Sequence, residues 1–497
     1  MKILVTGGTG VVGTAAVGAL VRRGHTVRLL SRHADDDAEQ WPKGIEPWPG
    51  SVADAAAVKG SASDCDAVVH MAGVVAESPP DVTFEGTNVE GTRNMLREAE
   101  RAGVGKFIYV SSLGADRGES GYHRSKRKAE VLVHTFPDGW MILRPGNVYG
   151  PGDEVISLLL KMVRSLPAVP VIDRGNQEFQ PIWAEDLGEI IAQAVERHDL
   201  LRKTLDIAGP ERTSMNDVID RFTRITNRTV LRVPVPGVLA GLAARAAGAV
   251  GIDIPLSDDQ LTMLAEGSVI EDPARNALLS TFKVTPTPLD EGLRKLADAL
   301  PEQLPSEGVG DFKRKRFRAD IEGSVLSAEA LFERLRQRFA ELTPWTIDTH
   351  AEPGTPGYPE EGATLTLGLP LRGNIQVKVV EVTPRSMTFV TLEGHPLAGA
   401  VRFATRNNGD RLRFEVTVYD RAANPVDWLL MATGGGAMQN ATWVQLVNNV
   451  VEACGGAAPN GVETDVTSLD DEQADRAEEW LRDLVMRQKR EAKAEPL

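Results

Sequence analysis

Apolar residues open the chain in a short block, Ile3-Leu4-Val5 behind Lys2, and a glycine-rich stretch, Thr6-Gly7-Gly8-Thr9-Gly10-Val11-Val12-Gly13, comes directly after it. The block predicts a buried strand, and the residues after it a helix from about Val11 to Arg23, stopped by Gly24. His25–Leu30, Ile45–Trp48, Asp66–Gly73 and Lys106–Val110 read as further strands between helical stretches. That alternation predicts a parallel sheet covered on both faces. Pro301, Pro305, Gly308 and Gly310 then break the periodicity. Beyond them Phe317–Gly323 predicts a strand, and after it a helix with Leu331, Phe332, Leu335, Phe339 and Leu342 on one face. Ser327 is placed to cap that helix, with Leu326 and Leu331 as a hydrophobic staple. Five strand-like runs come next: Ala363–Leu369, Asn374–Val382, Ser386–Leu392, Gly399–Thr405 and Arg411–Tyr419. A closing helix spans about Gln439–Cys454, with Val444, Val447, Val451 and Cys454 on one face.

Length and charge narrow the reading. A chain of 497 residues calls for two or three domains. A net charge of −15 argues against nucleic acid as a partner. Two cysteines, Cys65 and Cys454, make no disulfide framework, and the first strand begins at once, leaving no room for a signal peptide. A cytoplasmic protein is expected. Val233–Ile252 is rich in alanine and leucine but carries Pro234, Pro236 and Arg245, so it reads as a buried or surface helix rather than a membrane span. Its Val235–Val250 part would suit a greasy substrate or, at most, peripheral membrane contact; packing on its own lobe is the plainer reading. The run Lys313-Arg314-Lys315-Arg316-Phe317-Arg318 reads as a solvated strand face or a clamp onto the neighbouring domain, with anionic lipid the alternative.

The glycines carry the first candidate chemistry. Gly7 permits a tight turn, Gly10 leaves room between backbone amides and a pyrophosphate, and Gly13 lets the helix pack close to the sheet. Thr9, Val11 and Val12 complete this dinucleotide cradle, and the helix N-terminus faces the phosphates. The second strand ends in Ser31-Arg32-His33, with no acidic residue before Asp35. An arginine there suits a 2′-phosphate, so NADP is favoured with NAD possible; Arg32 stacking on the adenine is the bland alternative. Val52 lies in Gly50–Asp54, which reads as an adenine-side loop, and Met71-Ala72-Gly73 would lie flat under the cofactor. Tyr122 and Lys126, four apart at the start of a helix, share one face. A nearby ammonium, with the nicotinamide's charge, would lower the tyrosine pKa towards neutrality. Ser111 and Ser112 end the preceding strand, where Ser112 could hold a substrate oxygen beside Tyr122. No metal site is expected.

Taken together, Gly7-x-x-Gly10-x-x-Gly13, His70-Met71-Ala72-Gly73, Asn88-Val89-x-Gly91-Thr92, Ser111-Ser112, Tyr122-x-x-x-Lys126 and Leu143-Arg144-Pro145-Gly146-Asn147-Val148-Tyr149-Gly150-Pro151-Gly152 resemble the extended and atypical branches of the short-chain dehydrogenase/reductase superfamily, the NAD(P)-dependent epimerase/dehydratases. Tyr109-Val110-Ser111-Ser112-Leu113-Gly114-Ala115-Asp116 further resembles the subgroup of the NADPH-binding accessory subunit of respiratory complex I and its bacterial relatives. The resemblance implies Tyr122 as acid/base, Lys126 as partner to it and to the nicotinamide ribose, Ser112 as substrate-oxygen donor and Asn88 as support for a water relay. It also implies that Pro145, with Val148 nearby, borders the nicotinamide, and that Asp186 is structural. Ser51 stands where many relatives carry an aspartate near the adenine. The short Ser112-to-Tyr122 spacing counts against sugar-nucleotide substrates.

The C-terminal order of strand, helix, meander and long helix resembles START-type and polyketide-cyclase-like helix-grip domains (the SRPBCC class). Gly394-His395-Pro396-Leu397-Ala398-Gly399 resembles, more closely, a bacterial family of unassigned function. That fold would enclose an apolar cavity, which His395 could line; a turn histidine is the simpler reading. The expected fold is α/β, a Rossmann-type doubly wound parallel sheet with a small substrate lobe, plus an α+β helix-grip domain. The expected division is 1–300 for the cofactor-binding domain (lobe within about 152–300), 301–318 for a linker, 319–460 for the helix-grip domain and 461–497 for a charged tail, acidic and then basic, with a helix around Trp480 and frayed ends. The expected function is an NADP-dependent oxidoreductase acting on a carbonyl or alcohol of a hydrophobic small molecule or lipid. A non-catalytic NADPH-binding sensor or scaffold, and an epimerase or dehydratase, are the alternatives. The sequence leaves the oligomeric state open.

Overall fold

The computed structural model describes the whole chain except residues 39–40, 42–43, 154, 166–167, 173, 227, 237–261, 263–265, 299, 345–346, 348–357, 370–372 and 495–497. The first strand, β1 (Lys2–Thr6), has Ile3, Leu4 and Val5 wholly buried. Helix α1 (Val11–Arg22) comes after the glycine turn, and Gly24, at a φ of +79°, turns the chain into β2 (Thr26–Ser31). Strands β3 (Ile45–Pro49), β4 (Ala67–His70), β5 (Lys106–Val110), β6 (Gly139–Pro145) and β7 (Lys203–Ile207) complete a seven-stranded sheet in the order β7-β6-β5-β4-β1-β2-β3. Every pairing in it is parallel. The chain leaves β1 towards β2 on one side and returns to β4 on the other, which opens a crevice above the carboxyl end of β1.

Helices cover both faces. On one, Ile3, Val5 and Leu29 pack with α1 and with α5 (Ala184–Glu196), numbered after α2 (Gly91–Ala102), α3 (Gly121–Val133) and α4 (Ile156–Ser165). A Cβ on Gly188 would lie 2.6 Å from the Ala15 carbonyl carbon, so that helix pair packs backbone to backbone. On the other face Leu4, Val68, Phe107 and Tyr109 pack with Met95 and Ala99 of α2 and Ala129 and Val133 of α3. Val233–Val235, the start of the stretch expected to be helical, instead belong to a strand, Leu231–Val235, that pairs in parallel with Ala168–Ile172. Val235 and Pro236 apart, the stretch to Val250 and the helix start expected at Pro255–Gln260 lie outside the described residues.

A second seven-stranded sheet forms the C-terminal unit. Its strands are β8 (Val309–Ile321), β9 (Thr364–Leu369), β10 (Gly373–Thr383), β11 (Ser386–Thr391), β12 (Leu397–Asn408), β13 (Arg411–Ala422) and β14 (Glu463–Ser468), ordered β9-β10-β11-β12-β13-β8-β14. All its pairings are antiparallel. Phe317, Phe389, Phe403 and Phe414 on one face pack with Leu331, Phe332 and Leu335 of α6 (Ala328–Gln337) and Leu446, Val447 and Val450 of α7 (Gly436–Ala453). Ser327 caps α6 by accepting from the Ala330 amide.

Two expected boundaries change. The stretch 301–318 is not all linker, because β8 begins at Val309 and carries the basic run within the sheet. Alternating buried and part-exposed residues hold it there: Lys315 and Phe317 are buried, and Arg318 pairs with Glu463 on β14. Residues 461–497 include the helix expected around Trp480 but are not only a charged tail. Residues 463–468 extend the sheet, and Leu481, Leu484 and Val485 of α8 (Asp471–Ala494) bury against Val380, Val390 and Ala400 on its second face. Residues 301–304 run alongside the β11–β12 hairpin, where Gln303 N donates to Thr391 O and Glu393 N to Pro301 O. Among the described residues no helix is long and apolar enough to cross a membrane, and no cluster of metal-ligating side chains occurs.

Candidate active site

The crevice above β1 is a cleft of about 840 Å³. Its floor depends on missing side chains. Gly7 has a φ of +73°, and a Cβ there would lie 2.6 Å from the Ala72 amide nitrogen, so the turn can approach the end of β4 only as glycine. A Cβ on Gly13 would lie 2.0 Å from the Gly7 carbonyl oxygen. Thr6 locks the two strand ends together, since its hydroxyl meets His70 Nδ1 at 2.7 Å and accepts from Ala72 N at 3.3 Å. His70 Nε2 meets the Thr92 hydroxyl at 3.0 Å, and burial holds the ring neutral by lowering its pKa to about 3.

Gly7, Thr9, Gly10, Val11, Val12, Gly13, Met71, Ala72 and Gly73 line this floor, and Ser31, Arg32 and Val52 line the end beyond β2. Arg32 is exposed there. Arg28, earlier on the same strand, is buried instead, pairing with Glu46 at 2.9 Å and donating to Ser61 O. Ser111, Ser112, Tyr122, Lys126, Pro145 and Val148 line the opposite end.

Tyr122 and Lys126 stand on the first turns of α3, which Ser120 caps by accepting from His123 N at 3.1 Å. Tyr122 hydrogen-bonds Ser112. Lys126 Nζ donates to the Val110 carbonyl at 2.9 Å and sits 4.9 Å from the Tyr109 ring centre and 5.9 Å from that of Tyr122. Burial pushes the Tyr122 phenol up to about 12, against the pull of the Ser112 hydrogen bond. It pushes the Lys126 ammonium down to about 8, with Glu130 opposing. The expected lowering of Tyr122 towards neutrality is therefore not a property of the protein surroundings alone. Desolvation outweighs the Ser112 hydrogen bond.

Asn88, expected to support a water relay, is buried. It does not line the cleft: its Oδ1 accepts from Val74 N at 2.8 Å, and its Nδ2 donates to Val74 O and Ser125 Oγ. Both ends of the amide tie the loop after β4 to α3. Asp186 accepts from the Thr287 amide and hydroxyl, a structural clasp. His395 is buried in the β11–β12 turn, its Nδ1 2.9 Å from Leu397 N. Sequence reasoning missed Val155, Ile156, Phe179, Gly267 and Ser268, which line the cleft beyond Tyr122. It also missed His123, which lines the cleft beside Tyr122, and Glu266, which pairs with it at 2.6 Å. No spacing rule marks these residues, which only the tertiary fold brings together.

Residues 3–208 match the model of the NAD dependent epimerase/dehydratase family. The N-terminal unit is thus an epimerase/dehydratase-type Rossmann domain. Among curated relatives, a ceramide reductase of Caulobacter vibrioides is 31% identical over 35% of this chain and 55% of its own. A 3 beta-hydroxysteroid dehydrogenase/Delta 5→4-isomerase of Mycobacterium tuberculosis is 32% identical over 31% of this chain and 49% of its own. A 2-alkyl-3-oxoalkanoate reductase of Stenotrophomonas maltophilia is 31% identical over 31% of this chain and 53% of its own. The chain spans about half the length of these relatives.

Proposed function

We propose that the chain is an NADP-dependent oxidoreductase that interconverts a carbonyl and an alcohol on a hydrophobic small molecule. The observation that carries this reading is the Ser112–Tyr122–Lys126 group at one end of a cleft whose other end is a glycine cradle. Gly7 and Gly13, where a Cβ would strike backbone, fit a pyrophosphate laid against the turn. Arg32, exposed at the end of β2, fits a 2′-phosphate. Bound NADPH would supply hydride to the carbonyl carbon. Ser112 would hold the carbonyl oxygen, and Tyr122 would give it the proton that completes the alcohol. Lys126 would hold the ribose and, together with the cofactor's positive charge after transfer, offset the burial that raises Tyr122. Asn88, tied to Val74 and Ser125, would position α3 rather than touch the substrate.

Hydrophobic substrates are supported by the cleft walls. Val75, Val82, Val155, Ile156 and Phe179 line the side beyond Tyr122, and among the described lining residues the only lysine and arginine are Lys126 and Arg32. A sugar nucleotide would call for cations at its diphosphate. The relatives named for ceramide, a hydroxysteroid and an alkyl-oxoalkanoate point the same way. We read the C-terminal unit as a helix-grip domain that takes lipid-like ligands. Its support is the order of β8, α6, the meander β9–β13 and α7. A cytoplasmic location belongs to the same reading.

The test is NADPH oxidation, monitored at 340 nm, with a 2-alkyl-3-oxoalkanoate, a long-chain 3-oxo amino alcohol and a 3-oxosteroid as probes. Consumption of NADPH in step with alcohol formation is expected, with NADPH preferred to NADH. Rearranged product without net NADPH consumption would make the chain an epimerase or dehydratase. Cofactor binding without turnover of any probe would favour a cofactor-binding sensor or scaffold.

A further inference from the structure

The described residues include one carboxylate that reaches from the small lobe into the base of the catalytic helix. Glu266 Oε1 accepts from the backbone amides of Glu119 at 2.5 Å and Ser120 at 3.0 Å, the two residues that lead into α3. Its Oε2 accepts from His123 Nδ1 at 2.6 Å. A carboxylate at this end of a helix also meets the favourable end of the helix dipole. The His123 ring, in turn, lies with its centre 5.4 Å from that of Tyr122. Glycines enclose it: a Cβ on Gly118 would lie 2.3 Å from His123 Nδ1, and one on Gly114, at a φ of +101°, 3.2 Å from Nε2. Gly114 and Gly118 belong to the loop that begins at Ser112. His123 therefore touches both segments that carry the proton-transfer pair.

Glu266 is joined directly to the cleft wall. Gly267 and Ser268 line the cleft, and Ser268 O accepts from Gln180 N at 2.9 Å, so the segment is tied to α3 at one end and to Glu178–Gln180 at the other. We propose that Glu266, acting through His123, is a positioning residue that sets Tyr122 against Ser112 and links that register to the wall on which substrate rests. The proposal rests on the oxidoreductase reading for its kinetic consequence but not for its structural one.

The experiment compares Glu266→Gln with the unaltered full chain, using NADPH and the 2-alkyl-3-oxoalkanoate probe. The substitution keeps shape and one carbonyl-type acceptor but cannot accept from all three donors. Expected are a fall in kcat of tenfold or more, NADPH affinity within twofold, and a larger deuterium isotope effect on kcat from 4-deuterated NADPH. Glu266→Asp, which keeps the charge, should recover part of the kcat. An unchanged isotope effect with only KM raised would overturn the proposal, because Glu266 would then merely hold the substrate wall. If the unaltered chain turns over no probe, the oxidoreductase reading fails separately, and hydrogen exchange decides the positioning role. Glu266→Gln should speed amide exchange in the peptide spanning 117–126 and leave α1 unaffected. Unchanged exchange there would overturn it.

Discussion

Lys126 Nζ stands 5.9 Å from the centre of the Tyr122 ring, one helical turn away, and spends a hydrogen bond on the Val110 carbonyl at the end of β5. The ammonium is thus pinned to the sheet rather than to the phenol. In the proposed reaction proton transfer would depend on the Tyr122 oxygen, and cofactor binding on the glycine floor. Tyr122→Phe should separate the two. Turnover is expected to fall by about 10² to 10⁴, the usual share of a positioned acid or base. NADPH affinity, measured by fluorescence titration, should stay within about threefold, since loss of one hydroxyl leaves the phosphate cradle intact.

The same burial that raises Tyr122 makes Lys126 costly to the fold. Its pKa falls from 10.5 to about 8, with desolvation the leading cause. Below pH 8 folded and unfolded chains both hold the proton, and the folded state bears the full cost of a buried ammonium. Between pH 8 and 10.5 only the unfolded chain keeps it, so this group makes stability rise with pH across that window. Lys126→Met should therefore be more stable than the parent at pH 7, by roughly 3 kcal/mol before the lost hydrogen bond is counted. The advantage should shrink on titration to pH 10, as read by urea denaturation. Above pH 10 the raised Tyr122 adds a contribution of opposite sign, stability being lost between 10 and 12 as the unfolded chain alone gives up its proton. A difference that grows with pH would contradict the assignment.

Gly13 is the most exacting position of the floor. It stands in ordinary helical backbone, so its requirement is space, not conformation. The atoms a methyl group would strike are backbone: Gly7 O at 2.0 Å, and Gly8 Cα at 2.5 Å. No flexible side chain can yield. Gly13→Ala should lower stability by about 1–3 kcal/mol through overpacking and weaken NADPH binding by displacing the turn. Gly24→Ala is the control. Its φ of +79° is strained for alanine, yet its Cβ meets nothing within 4 Å and the site lies away from the cofactor. It should cost some stability and leave NADPH affinity unchanged.

These positions show why parts of the site were legible in the sequence. Gly7, Gly10, Gly13, Tyr122 and Lys126 act through local geometry, a turn and one helical face, and spacing along the chain encodes both. Gly267, Ser268 and Glu266 act through contacts made more than a hundred residues from α3, and nothing in their immediate neighbours marks them. The Tyr122 pKa departs from its expected direction for a related reason: the lysine four residues on is visible in the sequence, but the desolvation that raises the phenol belongs to the packed fold. In the C-terminal unit, Ser327 and the meander strands obey local rules. The start of β8 reads as a linker because Pro305, Gly308 and Gly310 break the periodicity just ahead of a basic run, and the docking of the helix around Trp480 is hidden because only Leu481, Leu484 and Val485 among many charges reach the sheet.

The two units share a joint whose energetics can be divided between two neighbouring residues. Leu392, at the end of β11, is fully buried in the small lobe's core with Leu159, Leu160 and Val163 of α4. Beside it Glu393 pairs with Lys161 at 2.7 Å, both side chains part-exposed. Helix α4 begins at Ile156, which lines the cleft, so the joint and the substrate wall lie on one helix. Exposed ion pairs contribute about 0–1 kcal/mol, whereas truncating a buried leucine costs about 2–5 kcal/mol, part of it for the cavity left behind. Leu392→Ala should therefore loosen the joint, and Glu393→Gln should scarcely change it. Calorimetry is expected to show one transition for the parent and Glu393→Gln, and two for Leu392→Ala as the units melt apart. A single, uniformly lowered transition for Leu392→Ala would mean that the units unfold together through other contacts, such as the pairing of residues 301–304 with the β11–β12 hairpin.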